Sequence, residues 1–353
     1  MADLDGARWL VLDLDRPPPG GDPLLADARA IAAAEPRVLD AGWACYLAAP
    51  LRAAGGRRAG DAPLDLDQWR RRPGVRRAWI QDDDTILAGL PWRDGKAGFE
   101  AGGWRTGRDD LLLIAGPCAV ESREQLDEVA AGVAAAGARW LRGGAWKART
   151  SPYDFQGLGA RALELLRDAA DRHGLAVVTE AIGSDELRAV AELADVVQLG
   201  SRNAQNFPLL RKLGAVGKPV LLKRGFGCTL RELEYAAEYV LAHGNPRVLV
   251  CERGIRSFES ATRFTFDINA VPLLKQRVHL PVIADPAHGT GQAALVEAVA
   301  RAAIAAGADG LMLEVHPDPA RALSDGRQAV PLRDFARVVE SLRPVAAAVG
   351  RRL

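Results

Sequence analysis

The chain has 353 residues, and its 46 lysines and arginines against 45 aspartates and glutamates give a formal net charge of +1. A nucleic-acid-binding protein usually carries a basic excess, so this balance argues against nucleic acid as a partner. The acidic N-terminus lacks the apolar core of a signal peptide, and no apolar run approaches the ~20 residues of a membrane span. The four scattered cysteines form no disulfide framework, so we expect a cytoplasmic protein without membrane contact.

Residues 1–82 have the pattern of a small α+β domain. Strand-like and helix-like runs alternate at Arg8–Asp15, Pro23–Glu35, Ala41–Ala49, Asp65–Arg72 and Val75–Gln81. This β-α-β-x-α-β order predicts a small ferredoxin-like domain. One strand of that fold has no clear position, because the Gly- and Arg-rich stretch Leu51–Pro63 does not have a strand pattern.

Residues 83–110 are predicted to form a linker. The glycine pairs in Gly95–Trp104 favour a hairpin. Since this segment directly precedes the first strand of the next domain, we expect the hairpin at the bottom of that domain.

From residue 111 onward, apolar strand-like runs alternate with amphipathic helical runs. The predicted strands are Leu111–Cys118, Trp140–Lys147, Ala176–Ala181, Val196–Ser201, Pro219–Gly225, Arg247–Gly254, Pro281–His288 and Gly310–His316. Near-continuous apolar strands indicate a parallel sheet that is buried on both faces. Eight successive units favour a closed barrel over an open sheet, so the sequence predicts an α/β protein with a (β/α)8 TIM barrel over residues 111–353.

Polar side chains occur at the end of every predicted strand, and in a barrel these ends meet on the face that carries active sites. Three of them, Cys118, His288 and Glu314, together with Asp325 further along the chain after the last strand, offer sulfur, nitrogen and oxygen donors. This donor set predicts a site for one divalent metal ion and suits Mn, Fe, Co or Zn without selecting among them.

Six cations lie near strand ends of this otherwise neutral chain. They are Arg142, Lys147, Arg149, Arg202, Lys223 and Arg253. Guanidinium groups bind phosphate and carboxylate through two parallel hydrogen bonds, and lysines act as point charges. The pattern therefore indicates phosphorylated, anionic substrates.

Several of these segments match one family in order and spacing. The segments are Ile-Ala-Gly-Pro-Cys118-Ala-Val-Glu-Ser, Arg142-Gly-Gly-Ala-Trp-Lys147-Ala-Arg149-Thr150, Gly200-Ser201-Arg202-Asn203, Leu222-Lys223-Arg-Gly, Cys251-Glu-Arg253-Gly and Asp285-Pro-Ala-His288. Over about residues 105–350 the chain resembles type I DAHP synthases, and in particular the subgroup with an N-terminal ferredoxin-like domain. The resemblance implies a transferase that condenses phosphoenolpyruvate with erythrose 4-phosphate, the entry step of the shikimate pathway and of aromatic amino acid biosynthesis.

The resemblance also implies residue roles. Cys118, His288, Glu314 and Asp325 would hold the metal, and Lys147, Cys118 and His288 would be catalytic. Ser201 (through its backbone), Arg202, Lys223 and Arg253 would bind the phosphate of phosphoenolpyruvate. Arg142 and Lys147 would contact its carboxylate, and Arg149 and Thr150 would hold the phosphate of the aldehyde.

Two positions depart from the family pattern, which usually has proline at Ala148 and alanine at Ser201. Proline fixes the backbone, so Ala148 is expected to loosen or reshape the aldehyde site. The sister family, 3-deoxy-octulosonate 8-phosphate synthase, shares this alanine but has a longer segment there. The alternatives are therefore the sister activity, a paralogue that uses another aldose phosphate in specialised metabolism, or a non-catalytic regulatory partner. The last would predict the loss of a metal ligand or phosphate cation, and none is lost.

The family further implies a homo-oligomer, either a tetramer or a dimer, whose regulatory domain binds aromatic amino acids. Because Leu51–Pro63 departs from the usual pattern, we expect residues 1–82 to dock on the barrel or on a neighbouring subunit. Feedback by tyrosine or phenylalanine is expected to be weak or absent.

Overall fold

The computed structural model describes residues 8–51, 64–82, 84–89, 99–105 and 109–353. It contains a small antiparallel sheet followed by a closed parallel barrel, which confirms the predicted fold class. None of the helices in these ranges combines the length and the apolarity that crossing a membrane requires.

The N-terminal sheet has four strands and two helices. In chain order they are β1 (Trp9–Leu14), α1 (Pro23–Ile31), β2 (Arg37–Asp40), β3 (Cys45–Pro50), α2 (Leu66–Arg70) and β4 (Val75–Gln81). The sheet order is β2-β3-β1-β4, with antiparallel neighbours. Side chains of a strand alternate between faces. Leu10 and Leu12 accordingly pack with the two helices, whereas Trp9 and Val11 belong to the cluster on the opposite face.

The strand that the sequence left without a position is β2, and it lies earlier than the stretch in which it was sought. The first helix ends at Ile31 rather than Glu35, which leaves room for β2 after Pro36. Its four residues are mostly exposed, so they lack the apolar alternation that marks a strand. Of the glycine-rich stretch, residues 52–63 lie outside the described part of the chain.

The second face of this sheet packs on the barrel. Trp9 and Tyr46 belong to the same buried cluster as the barrel helices. The indole nitrogen of Trp43 donates to the carbonyl of Leu241, at 3.0 Å. The small domain therefore buries apolar surface on both sides, against its own helices and against the barrel.

A short hairpin follows, with strands β5 (Glu100–Ala101) and β6 (Trp104–Arg105). The Trp104 ring meets Trp140 edge-on, with ring centroids 6.1 Å apart. The Trp140 indole donates to the carbonyl of Gly102, at 3.1 Å. Trp104 and Ala101 also join the apolar cluster inside the barrel, so the hairpin covers the end at which the barrel strands begin.

Eight parallel strands close the barrel. They are β7 (Leu112–Gly116), β8 (Trp140–Arg142), β9 (Ala176–Glu180), β10 (Val196–Leu199), β11 (Val220–Lys223), β12 (Val248–Glu252), β13 (Val282–Ala284) and β14 (Gly310–His316). Closure is complete because β14 pairs with both β13 and β7. All eight predicted strands are confirmed, but several end early. The strand β8 stops at Arg142 instead of Lys147, and β13 stops at Ala284, so Lys147 and His288 lie beyond the strands.

The helices surround the barrel. They are α3 (Arg123–Ala135), α4 (Ala160–His173), α5 (Ser184–Leu193), α6 (Phe207–Ala215), α7 (Leu230–Ala242), α8 (Ala270–Arg277), α9 (Pro286–Thr290), α10 (Ala293–Ala305) and α11 (Leu332–Ala348). A two-residue strand, β15 (Val330–Pro331), pairs with the end of β14. Along β7, Leu112 and Ile114 point into the barrel and Leu113 and Ala115 face the helices, which gives the strand its continuous apolar character.

The hairpin offers a stability test with a built-in control. Gly102 and Gly103 both have left-handed backbone, with φ of 51° and 71°. A Cβ at Gly102 would lie 2.3 Å from that of Ala176, whereas one at Gly103 would meet nothing within 4 Å. We expect Gly103→Ala to cost about 1–2 kcal/mol of unfolding free energy from backbone strain. Gly102→Ala should cost about 1–3 kcal/mol more from overpacking.

Chemical denaturation of the two variants against the unmodified protein measures both costs. Equal losses for Gly102→Ala and Gly103→Ala would mean that the hairpin does not press against Ala176.

Candidate active site

The four expected metal ligands lie together at the carboxyl ends of the barrel strands. Cys118 follows β7, His288 is in α9, Glu314 is on β14, and Asp325 lies in the loop between β14 and β15. One donor atom from each falls within 4.8 Å of the others. Residues that are up to 207 positions apart in the chain thus form one cluster.

The Glu314 carboxylate is fully buried and held on both oxygens. Oε1 accepts from Arg142 Nη1 at 2.8 Å, and Oε2 accepts from the amide of Gln328 at 2.5 Å. Burial opposes ionisation, but the Arg142 guanidinium, and the His288 ring when it is protonated, keep the pKa of Glu314 below its usual value. The group is therefore a fixed carboxylate in the buried base of the site.

Cys118 and Asp325 face each other across the cluster. The Cys118 sulfur lies 3.2 Å from Asp325 Oδ2 and 3.0 Å from Lys147 Nζ. Burial raises the pKa of the thiol to about 11, although the Lys147 charge acts in the opposite direction. Among the described residues other than glycine, Asp325 alone has a positive φ, 54°, and Arg263 holds its second oxygen at 3.1 Å. Such backbone strain is typical of functional positions.

The donor set fits a divalent transition metal. The ring of His288 has Nε2 at 3.2 Å from Glu314 Oε1, while its buried Nδ1 lies 2.8 Å from Asp285 without a well-aligned hydrogen bond. Burial lowers the pKa of His288, which favours the neutral imidazole that binds metals. One thiol, one imidazole and two carboxylates together suit Mn, Fe, Co or Zn better than Mg, which prefers oxygen ligands alone.

A cavity of about 800 Å³, which includes the space at its open mouth, adjoins the metal ligands. The side chains around it are mostly polar or charged. All six cations singled out in the sequence line it, together with Ala148, Thr150, Asp154, Glu180, Gln198, Gly200, Ser201, Phe226, Arg263, His288 and Asp325. The structure therefore brings the expected substrate residues and the metal ligands to one place.

The cations differ in their acidic partners. Arg142 pairs with Glu314, and Lys223 pairs with Asp285, so both of these charges are balanced. Arg253 is 3% exposed, and within the described part of the chain its side chain hydrogen-bonds to the carbonyl of Gly254 and has no carboxylate partner. Burial lowers the pKa of Arg253 to about 10. A buried guanidinium without an anion is suited to binding one.

The residues expected to bind the aldehyde phosphate border this anion site. Arg149 donates to the Ser324 hydroxyl at 2.7 Å, and Thr150 accepts from Arg202 Nη2 at 3.1 Å. The hydrogen bond between Arg202 and Thr150 shows that the two expected phosphate sites are contiguous.

Sequence reasoning missed several residues of the site. Arg263 lies in the long segment between β12 and α8, where no strand end points to it. Glu121 accepts from the backbone of Leu323 at 2.9 Å and lies 3.2 Å from His316 Nε2. Through Glu121, His316 is therefore linked to the loop that carries Asp325. Because these contacts join segments that are far apart in the chain, they leave no periodic signal in the sequence.

Together these features define a (β/α)8-barrel protein with a cluster of possible metal ligands beside a cavity lined by cations. The DAHP synthetase I family matches residues 93–348. The chain belongs to this family.

Known relatives are similar over most of their length. A phospho-2-dehydro-3-deoxyheptonate aldolase of Thermotoga maritima is 52% identical over 252 residues, which cover 71% of this chain and 75% of that protein. A 2-dehydro-3-deoxyphosphooctonate aldolase of Rhodopseudomonas palustris is 35% identical over 260 residues, covering 69% and 90%. A crystal structure of the Thermotoga maritima DAHP synthase gives a TM-score of 0.76 at 39% identity and covers 98% of this chain and 99% of its own.

Proposed function

We propose that this protein condenses phosphoenolpyruvate with erythrose 4-phosphate to give 3-deoxy-D-arabino-heptulosonate 7-phosphate and inorganic phosphate. The observation that carries the proposal is the cavity, in which six cations lie beside four metal-ligand side chains. Two phosphorylated substrates need two anion sites, and an aldehyde acceptor needs polarisation next to them. Identity of 52% to a phospho-2-dehydro-3-deoxyheptonate aldolase supports the same reaction.

In the reaction, the methylene carbon of phosphoenolpyruvate attacks the aldehyde carbon and forms the new C–C bond. Water then adds at the second carbon, and phosphate leaves as its C–O bond breaks. Arg253, Arg202 and Lys223, with the backbone at Ser201, would hold the phosphate of phosphoenolpyruvate. Arg149 and Thr150 would hold the phosphate of the aldehyde.

Lys147 and Arg142, which line the cavity, would bind the carboxylate of phosphoenolpyruvate. Burial works against the charge of Lys147, but the Cys118 sulfur when it is a thiolate, and the carboxylates of Glu314 and Glu180, raise the pKa of Lys147 above its usual value, so Nζ stays protonated at neutral pH. Nζ can therefore hold a proton beside the reacting aldehyde oxygen. A divalent metal on Cys118, His288, Glu314 and Asp325 would supply Lewis-acid polarisation of that carbonyl when bound. We propose Mn, Fe, Co or Zn as the metal, because these ions suit a donor set of sulfur, nitrogen and oxygen.

The acceptor is tested with a panel of aldoses. Phosphate release from phosphoenolpyruvate is measured with erythrose 4-phosphate, arabinose 5-phosphate and ribose 5-phosphate. We expect a clear preference for erythrose 4-phosphate. Preference for arabinose 5-phosphate would favour the activity of the phosphooctonate aldolases that are 35% identical, and Ala148, which lines the cavity, would then be the first position to change. Ala148→Pro serves as the matched variant.

We infer further that the chain belongs to the subgroup with an N-terminal ferredoxin-like domain and forms a homo-oligomer, either a dimer or a tetramer. The strand order β2-β3-β1-β4 supports the first point, and so does the 98% coverage by the Thermotoga maritima structure. The absence of disulfides, with all four cysteines free, supports a reducing, cytoplasmic location.

Truncation tests the role of the N-terminal domain, taken as residues 1–82. Its removal should leave catalysis largely intact, because no side chain of this domain lines the cavity in the described residues. It should change the oligomer size or lower the thermal stability, because the face with Trp9 and Tyr46 packs on the barrel. Steady-state kinetics, light scattering and thermal melts measure these effects.

The same truncation tests feedback regulation. We expect tyrosine and phenylalanine to inhibit the full-length enzyme weakly or not at all. Strong inhibition at micromolar concentration that disappears on truncation would contradict this expectation.

A further inference from the structure

One aromatic ring lies at the centre of the anion site. Phe226 directly follows the Lys-Arg-Gly segment at the end of β11 and lines the cavity. The guanidinium carbons of Arg253 and Arg202 lie over this ring, at 4.9 and 5.3 Å from its centroid. The guanidinium of Arg256 also lies over it, at 5.4 Å. Three cations therefore surround one half-buried phenyl ring.

A second ring backs the first. Phe264 stacks on Phe226, with centroids 5.0 Å apart and ring planes 10° apart. Phe264 is buried, and Arg253 lies 4.1 Å from its centroid. The two rings come from different segments, one after β11 and one after β12, so they also join the two strand ends that carry the anion site.

The arginines need such a support. Like charges repel, and in the described residues Arg253 and Arg202 have no carboxylate within ion-pair distance to hold them. A carboxylate would hold them firmly but would also compete with an incoming phosphate. The face of an aromatic ring attracts a guanidinium without occupying its N–H donors in the same way, so the donors stay available.

We propose that Phe226 is a positioning residue for the phosphate of phosphoenolpyruvate. Its ring holds Arg253 and Arg202 as a preformed pair of donors and leaves most of their N–H groups free for the substrate, since their hydrogen bonds to Gly254 and Thr150 use only one nitrogen of each. This inference rests on the proposed function, since it assigns the arginines to that substrate. It predicts that the affinity for phosphoenolpyruvate depends on the aromatic face of residue 226, and not only on the volume of its side chain.

The test compares Phe226→Leu, which keeps apolar bulk, with Phe226→Trp, which keeps a ring. Cation–π attraction at a partly desolvated site is worth about 1–2 kcal/mol, so Phe226→Leu should raise the KM for phosphoenolpyruvate roughly tenfold. The kcat and the KM for the aldehyde should change much less. Titration calorimetry of phosphoenolpyruvate alone, without aldehyde, should show the same loss of affinity.

Phe226→Trp should retain most of the affinity for phosphoenolpyruvate. If leucine and tryptophan weaken binding equally, the ring only fills space and the proposal is wrong. Phe207→Leu is the matched control, because Phe207 packs against Tyr239 outside the cavity, with ring planes 35° apart, and should leave the KM unchanged. Thermal melts check that each variant folds. An inactive unmodified enzyme would instead refute the proposed function, which separates the two failures.

Discussion

Replacing Cys118 by alanine is expected to abolish turnover and metal binding together. The thiol is the one sulfur among four donors within 4.8 Å of one another, and its loss would leave an imidazole and two carboxylates to hold a transition-metal ion. Loss of carbonyl polarisation costs several kcal/mol, which is on the order of a thousandfold in rate. A chelator should have the same effect on the unmodified enzyme, reversed by Mn, Fe, Co or Zn but not by Mg.

Metal content per chain, measured by elemental analysis after dialysis, gives a readout that does not depend on activity. Cys251→Ala is the matched control, because Cys251 is also buried in the barrel but does not belong to the donor cluster. Full activity of the metal-free enzyme would refute the role assigned to all four ligands.

Arg253→Ala is expected to be the most damaging change among the phosphate-binding cations. A charge-assisted contact of this kind is worth about 2–3 kcal/mol, or roughly 30- to 150-fold in kcat/KM for phosphoenolpyruvate. Arg202→Ala should cost less, because Arg202 is exposed and solvent screens its charge, whereas Arg253 is 3% exposed. Steady-state kinetics with each substrate varied in turn measures both.

Arg253→Lys separates charge from geometry. A lysine keeps the charge but loses the planar pair of donors, so we expect it to recover only part of the loss. If Arg253→Ala raised only the KM for the aldehyde, the two phosphate sites would be assigned in reverse.

The barrel was predictable because a strand that is buried on both faces needs apolar residues at every position. In β7, for example, the residues that face inward and those that face outward are all apolar or small. The β2 strand was not predictable, because its residues are mostly exposed and depend on pairing with β3. The predicted strands β8 and β13 were too long, because polar residues beyond the strand ends were counted as part of the strands. Lys147 and His288 are held by side-chain contacts within the site, and not by the strand hydrogen bonds.

The same distinction applies to the site. Cys118 and Glu314 follow or end strands, so barrel geometry alone places them on one face. Arg263, Glu121 and Phe226 act through contacts between segments that are distant in the chain, and such contacts have no fixed spacing. Their participation appears only when the loops are folded against one another.

The position of Ser324 indicates that binding of the metal and binding of the aldehyde affect each other. Its hydroxyl lies 3.1 Å from the Cys118 sulfur and accepts from Arg149 at 2.7 Å, so one buried side chain joins a metal ligand to an acceptor-binding cation. Two binding equilibria that share a structural element are coupled, and the coupling is reciprocal. The factor by which the bound metal changes the affinity for the aldehyde must equal the factor by which the bound aldehyde changes the affinity for the metal. Since the metal is proposed to polarise the bound aldehyde, that factor is expected to exceed one, and retention of the metal during turnover would then increase with the concentration of the acceptor.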